Sequence, residues 1–266
     1  MSAWYSLYLY HPNDPTQQLL TSVIASGWIP YDPFGLMPGA PAYLHTVKLF
    51  VAPAHEGWVR VVCAPDAPPT DALLLALGQH VLCLYAGVLE GRAVLRVYHS
   101  AGSIDAAVLP TLAAMPAAPW QAALDLPDGD ATDSAKSTSG LPLDVLGGGV
   151  QRMAASVDAK QAQSMFDKLA GRVLKGDQRA AAQGLIQQGK VDWASAGGRK
   201  VAAALACLVL PDWREPDYIA LRDAYQLQRR RQRNANAPLY PGDAQALAAV
   251  PDALAYTPVF GGKNDA

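Results

Sequence analysis

The densest group of side chains able to do chemistry in this chain is Arg229-Arg230-Arg231-Gln232-Arg233. Such a run pairs with phosphates or with an acidic partner. Cations in a last helical turn also complement the helix dipole, and arginines spread around a helix solvate it. Nucleic acid is disfavoured as a partner, because the surplus of positive charge is small and no helix-turn-helix or zinc-finger spacing occurs.

Other candidates are thinner. His11, His45, His55, His80 and His99 show no HxH, HxxxH or HExxH spacing, so nothing pre-arranges metal ligands on one element. Cys63, Cys83 and Cys207 form no CxxC pair. Their odd number argues against a disulfide framework and for a reducing compartment. No GxSxG is present, and Ser195 in Trp193-Ala194-Ser195-Ala196-Gly197-Gly198 reads as the N-cap of a helix. Gly147-Gly148-Gly149 and Gly197-Gly198-Arg199-Lys200 lack the GxxxxGK[ST] pattern and read as loops. No catalytic residue, metal or cofactor is therefore expected, which leans the reading away from an enzyme.

Residues 27–42, GWIPYDPFGLMPGAPA, stand apart. A helix-to-strand connection usually takes about 2–6 residues. This one is longer and carries Trp28, Tyr31, Phe34 and Met37. Loops of this kind fold their aromatics inward or present them to a partner. Trp28, Tyr31, Phe34 and Met37, with Arg229, Arg230, Arg231 and Arg233, are the candidate partner-binding residues. Trp193, Trp213 and Tyr225 read as packing groups.

The elements that must position these residues follow from periodicity. Trp4–Tyr10, Tyr43–Val51, Trp58–Cys63, Val81–Leu89 and Arg92–Tyr98 are β-branched and aromatic runs bounded by turn residues, as half-buried strands are. Asp14-Pro15-Thr16-Gln17 opens a helix whose face carries Leu19, Leu20, Val23 and Ile24, and Thr70-Asp71 caps a second that stops at Gly78. The order is β-α-β-β-α-β-β. Glu56-Gly57 and Glu90-Gly91, 34 residues apart, sit between paired strands and raise the possibility of a duplicated α-β-β unit. Consecutive hairpins imply an antiparallel sheet with helices on one face, an α+β sandwich.

The second half reads as helical. Asp158 and Gln161 resemble a capping box ahead of a stripe from Ala162 to Val173, which gives a helix over about 159–175, and Asp177 opens a helix running to Gln188. Val201–Leu210 is apolar nearly all round, and Pro216 begins a helix carrying Tyr218, Leu221, Ala224 and Tyr225. A short helix over Gln245–Val250 and an extended tail close the chain.

With 266 residues, 51% hydrophobic and 17% charged, the chain has material for one large or two modest domains. Residues 1–140 hold 5 Lys/Arg against 11 Asp/Glu, and residues 141–266 hold 16 against 12. Residues 125–149 are rich in Asp, Ser, Thr and Gly. The partition expected is an α+β domain over 1–124, a linker over 125–149 and a helical domain over 150–266. The amino terminus lacks a signal-peptide pattern, and the longest apolar run has ten residues against about 20 for a membrane span. A cytoplasmic protein away from membranes is expected, of open oligomeric state. Its first functional reading is a non-catalytic interaction or adaptor module for a protein partner. The alternatives are an enzyme or small-ligand binder with a cleft between the two parts, and a nucleic-acid accessory protein using the arginines.

Overall fold

The computed structural model describes residues 3–10, 15–34, 43–129, 191–208, 210, 213–236, 238–239 and 243–264. The helices expected over 159–175 and 177–188, most of the 125–149 linker, His11 and Met37 lie outside the described residues.

The fold is α+β, built on one eight-stranded antiparallel sheet. Its strands are β1 (Ala3–Tyr10), β2 (Ile29–Pro30), β3 (His45–Val51), β4 (Trp58–Cys63), β5 (Leu82–Leu89), β6 (Arg92–His99), β7 (Gly102–Ile104) and β8 (Thr257–Lys263). Their order across the sheet is β2-β8-β3-β4-β1-β5-β6-β7. The five strands read from the sequence are present within two residues of their expected bounds. Helix α1 (Pro15–Ala25) follows β1, and α2 (Asp71–Gly78) follows β4. Thr70 caps α2, its hydroxyl accepting from the amide of Leu73.

Both hairpin turns place Glu and Gly at positive φ: 47° and 82° at Glu56-Gly57, and 51° and 78° at Glu90-Gly91. Two successive positive values define a type I′ turn, whose twist matches that of the strands and which favours Gly at its second position. The echo between the two units comes from this requirement. Because neighbouring strands all alternate in direction, β3 and β5, three steps apart, run oppositely. Both helices nonetheless lie on one face. When the directions of β3 and β5 are aligned, β4 and β6 fall on opposite sides, so no rotation superposes the units.

Side-chain alternation assigns the layers. Leu7, Leu9, Val47, Leu49, Val59, Val61 and Cys83 meet Leu19 and Val23 of α1 and Leu73, Leu74 and Leu77 of α2 in one cluster. Ile24, expected on the inner side of α1, is 57% exposed. The buried face of α1 is narrower than its apolar run.

The other face of the sheet, which the sequence leaves to be solvated, covered by the second half or used, is covered, and the strands are more than half-buried. Strand β1 is buried at every interior position, which WYSLYLY permits because successive residues are apolar on both sides of the pleat. This face is covered by α3 (Leu109–Ala113), α4 (Ala117–Leu124), α5 (Ala196–Ala206) and α6 (Tyr218–Arg233). Val201, Ala204 and Leu205 of α5 pack with Trp4, Tyr8, Leu84 and Val97. Leu221, Ala224 and Tyr225 of α6 pack with Phe50, Val62 and Phe260. Ser195 caps α5 as read, accepting from the Gly198 amide at 3.1 Å. Asp217 caps α6, one residue after the proline taken as its start.

The described residues of 191–264 therefore have no core separate from that of 3–129. After α7 (Asp243–Ala249), the expected tail is β8, inserted between β2 and β3 and paired with β3 from His45↔Lys263 to Val51↔Thr257. The start of the expected linker is also tied down: the Asp128 carbonyl accepts from the Ala93 amide at 2.9 Å, and its carboxylate pairs with Lys200 at 2.5 Å. Pairing of β8 and the apolar contacts of α5 and α6 join the described residues on the two sides of residue 125.

Candidate functional site

The aromatic loop and the arginine run, read separately from the sequence, come together. Trp28 is 5% exposed and belongs to the core beneath α1, with the Lys263 ammonium 4.9 Å from its ring centroid. Tyr31 is half-buried against Tyr43 and Phe260. Its phenol is pushed upward, chiefly by burial. Phe34 is half-buried among Phe50, Tyr225 and Phe260, with centroids 5.0–6.0 Å away. The arginines fasten this loop to α6: Arg229 pairs with Asp32 at 3.4 Å, and Arg233 donates to the Phe34 carbonyl at 3.2 Å. Arg230 turns the other way, to the Asp243 carboxylate at 2.7 Å and the Pro238 carbonyl. Arg231 is exposed. These surface pairs are screened by water and contribute little each, about 0–1 kcal/mol, but they give the run a partner inside the molecule.

A second constellation lies on the sheet face beneath the segment that leads into α6. Its centre is Arg60, the one charged residue in the strand WVRVVC, 7% exposed. Its Nε donates to Ser6 Oγ at 3.2 Å. Its Nη1 donates to the Glu215 carbonyl at 2.5 Å, and its Nη2 to the carbonyls of Arg214 at 3.2 Å and Pro216 at 3.1 Å. Beside it the Tyr8 hydroxyl donates to the Trp213 carbonyl at 2.8 Å. Four successive carbonyls, 213 to 216, thus accept from two side chains of adjacent strands, because Tyr8 and Arg60 are cross-strand partners in the β1–β4 register. Burial pushes the Tyr8 phenol up to about 12, against the opposing pull of Arg60. The Glu215–Pro216 bond in this segment is cis.

With its backbone turned to the sheet, the segment leaves Arg214 and Glu215 exposed. A cavity opens on each side of it. One, of about 270 Å³, lies against the start of β1 and is walled by Trp4, Trp193, Arg214, Glu215, Asp217 and Tyr218. The other, of about 500 Å³, is walled by His55, Trp58, Arg60, Pro216, Asp252 and Tyr256. Glu215 lines both. The walls mix ring faces and prolines with a few polar groups, the make-up of small-molecule sites.

Sequence reasoning named Trp193 and Trp213 only as packing groups and passed over Arg60, Arg214 and Glu215. The available signal was the lone charge of Arg60 inside an apolar strand, since a charge so placed needs several acceptors. Among the described residues no group of three His, Cys, Asp or Glu side chains converges to hold a metal, and no helix is long and apolar enough to cross a membrane. Cys63 and Cys83 are buried beneath α1 and α2, and burial holds both thiols far above their usual range. Comparison of the chain with protein-family models, with curated proteins and with solved structures finds no match in any of the three.

Proposed function

We propose that this is a binding protein that takes a small ligand in the cleft divided by residues 213–217. The observation that carries this reading is the fixing of four consecutive carbonyls by Tyr8 and Arg60. A segment held in that way is a preorganised wall, so a ligand meeting it loses less free energy to ordering the site. The larger cavity falls within the roughly 300–1,000 Å³ typical of ligand sites. The test is a thermal-shift screen of metabolites on the full chain, repeated with Trp58→Ala and Glu215→Gln. The expected outcome is a compound that raises the melting temperature of the native chain and loses that effect in one of the two variants. A screen without hits, or hits indifferent to both substitutions, would sink the reading.

The interaction-module reading keeps one supporting observation. Ile24, Ile29 and Leu44 are 57, 58 and 77% exposed, and Ile29 and Leu44 sit at one end of β2, β8 and β3. A protein partner docking there would be lost on Ile29→Asp with the melting temperature unchanged. Trp28 and Phe34, packed inward, do not serve as its anchors.

A further inference from the structure

The smaller chamber is lined by Trp4, Trp193 and the cation Arg214, and Trp213 adjoins these rings without lining it. Trp4, Trp193 and Trp213 meet pairwise at 76°, 79° and 85°, with centroids 5.1, 6.5 and 5.7 Å apart, so their rings form a corner. The Arg214 guanidinium sits 5.7 Å from the Trp193 centroid and 5.1 Å from that of Trp213. Its side chain is exposed, and among the described residues it is held by these ring faces and by no carboxylate. Glu215, also exposed, lines the same chamber one residue away. An exposed cation on a ring face is held only a few-fold over solvent, whereas one shielded from water is held considerably more tightly. Trp4, at 7% exposure, forms the inner wall of the corner and already has the Arg60 guanidinium 5.9 Å from its ring centroid, so the ring faces left for an entering cation are those of Trp193 and Trp213.

We propose that this tryptophan corner is a binding site for a small organic cation, a guanidinium or quaternary ammonium group, which displaces the Arg214 side chain and takes Glu215 as its counter-ion. This rests on the cleft reading above and adds to it the charge and class of the ligand. No bond forms or breaks. Arg214 swings to solvent, for which its place on an exposed segment leaves room, and the exposed Glu215 carboxylate turns in to neutralise the newcomer. Arg214 is then an internal competitor, so removing it should tighten binding.

The experiment titrates the full chain with choline and with methylguanidinium, followed by tryptophan fluorescence and calorimetry, beside the neutral isostere of choline. The two cations are expected to bind and the isostere to bind about tenfold more weakly or not at all. Arg214→Ala should raise cation affinity about five-fold, with Arg214→Gln behaving alike as a check on folding. Trp213→Phe and Glu215→Gln should each lower affinity about three-fold or more. Equal binding of choline and its isostere, or unchanged or weakened cation binding in both Arg214 variants, overturns the proposal. If neither cation binds any form of the chain while a screened metabolite binds in a Trp58- or Glu215-dependent way, the cation assignment falls and the cleft reading stands. If nothing binds, both fall.

Discussion

The two faces of the sheet are both covered by helices and are built from different chemistry. Under α1 and α2 the contacts are mostly aliphatic, with Leu7, Leu9, Leu49 and Val61 against Leu19, Leu73 and Leu77, beside the rings of Tyr5, Trp28, Tyr85 and Tyr98. Under α5, α6 and the segment before α6 the same strands present Trp4, Ser6, Tyr8, Trp58 and Arg60. The first face is stabilised by area removed from water, about 25 cal/mol per Å². The second adds directed hydrogen bonds, whose net gain is small but whose loss leaves buried carbonyls without donors. Aliphatic packing makes a face stable wherever the volumes fit. Directed bonds make it specify one path for the backbone, and that path leaves the cavities open.

The largest test of this contrast removes one layer altogether. A chain ending at residue 124 lacks α5, α6 and β8 and uncovers Trp4, Tyr8, Phe50 and Leu84. It is expected to show no cooperative unfolding transition by circular dichroism, and a cooperative one would mean that the first face suffices alone.

Next come single substitutions on each face. Leu49→Ala should cost about 4 kcal/mol in chemical denaturation, as cavity-forming core truncations do, and leave ligand binding by the folded fraction unchanged. Arg60→Met should cost about 3 kcal/mol, because the Arg214, Glu215 and Pro216 carbonyls lose a donor, and should abolish binding in both cavities. An Arg60→Met protein as stable as the parent and still competent to bind would erase the distinction between the faces.

A smaller effect appears in alkali. The Tyr8 phenol titrates at 10.0 when unfolded and about 12 when folded, a raised value. Its contribution is fully present below pH 10. It is lost as pH rises toward 12, because only the unfolded chain releases the proton in that window. The share of this phenol in the fall is about 2 kcal/mol between these limits, added to those of Tyr85, Tyr218, Cys63 and Cys83, which burial also holds up. Tyr8→Phe should remove that share and make the fall shallower while costing about 1 kcal/mol at neutral pH.

The smallest signal is chemical labelling. Cys63 and Cys83 on the aliphatic face should resist a thiol reagent at neutral pH, while half-buried Cys207 on the other reacts slowly, its thiol held up only by partial burial. Native-state titration should count one thiol. Three reacting at equal rates would mean that the aliphatic face opens as readily as the polar one.

Much of the frame was legible because it depends on neighbours in sequence. The Thr70 and Ser195 caps, the Glu-Gly turns and the alternation in WYSLYLY and WVRVVC each draw on a few adjacent residues. Strand β8, TPVFGGK, was hidden by a proline and two glycines, which count against a strand when read alone. In the fold Gly261 is required by contact: a Cβ there would meet Trp28 Cβ at 2.9 Å, and Gly262 lies similarly under Tyr43. Trp28, which looked like part of a partner surface, is thus one reason for Gly261. The Trp4–Trp193–Trp213 corner was equally invisible, since its members lie about 190 residues or more apart or lean on a backbone path set by Arg60.

The sequence by itself determined five of the strands, the helices α1, α2, α5 and α6 and where the two hairpins turn, because propensity, capping and pleat alternation act over a few residues. Only the tertiary structure decided that the second half covers the open face, that its last strand enters the sheet, and that Arg60 meets the carbonyls of 214–216 to divide a cleft. Those outcomes depend on which surfaces meet after the chain folds back on itself, and a buried guanidinium and an open strand edge must find partners that no local pattern names.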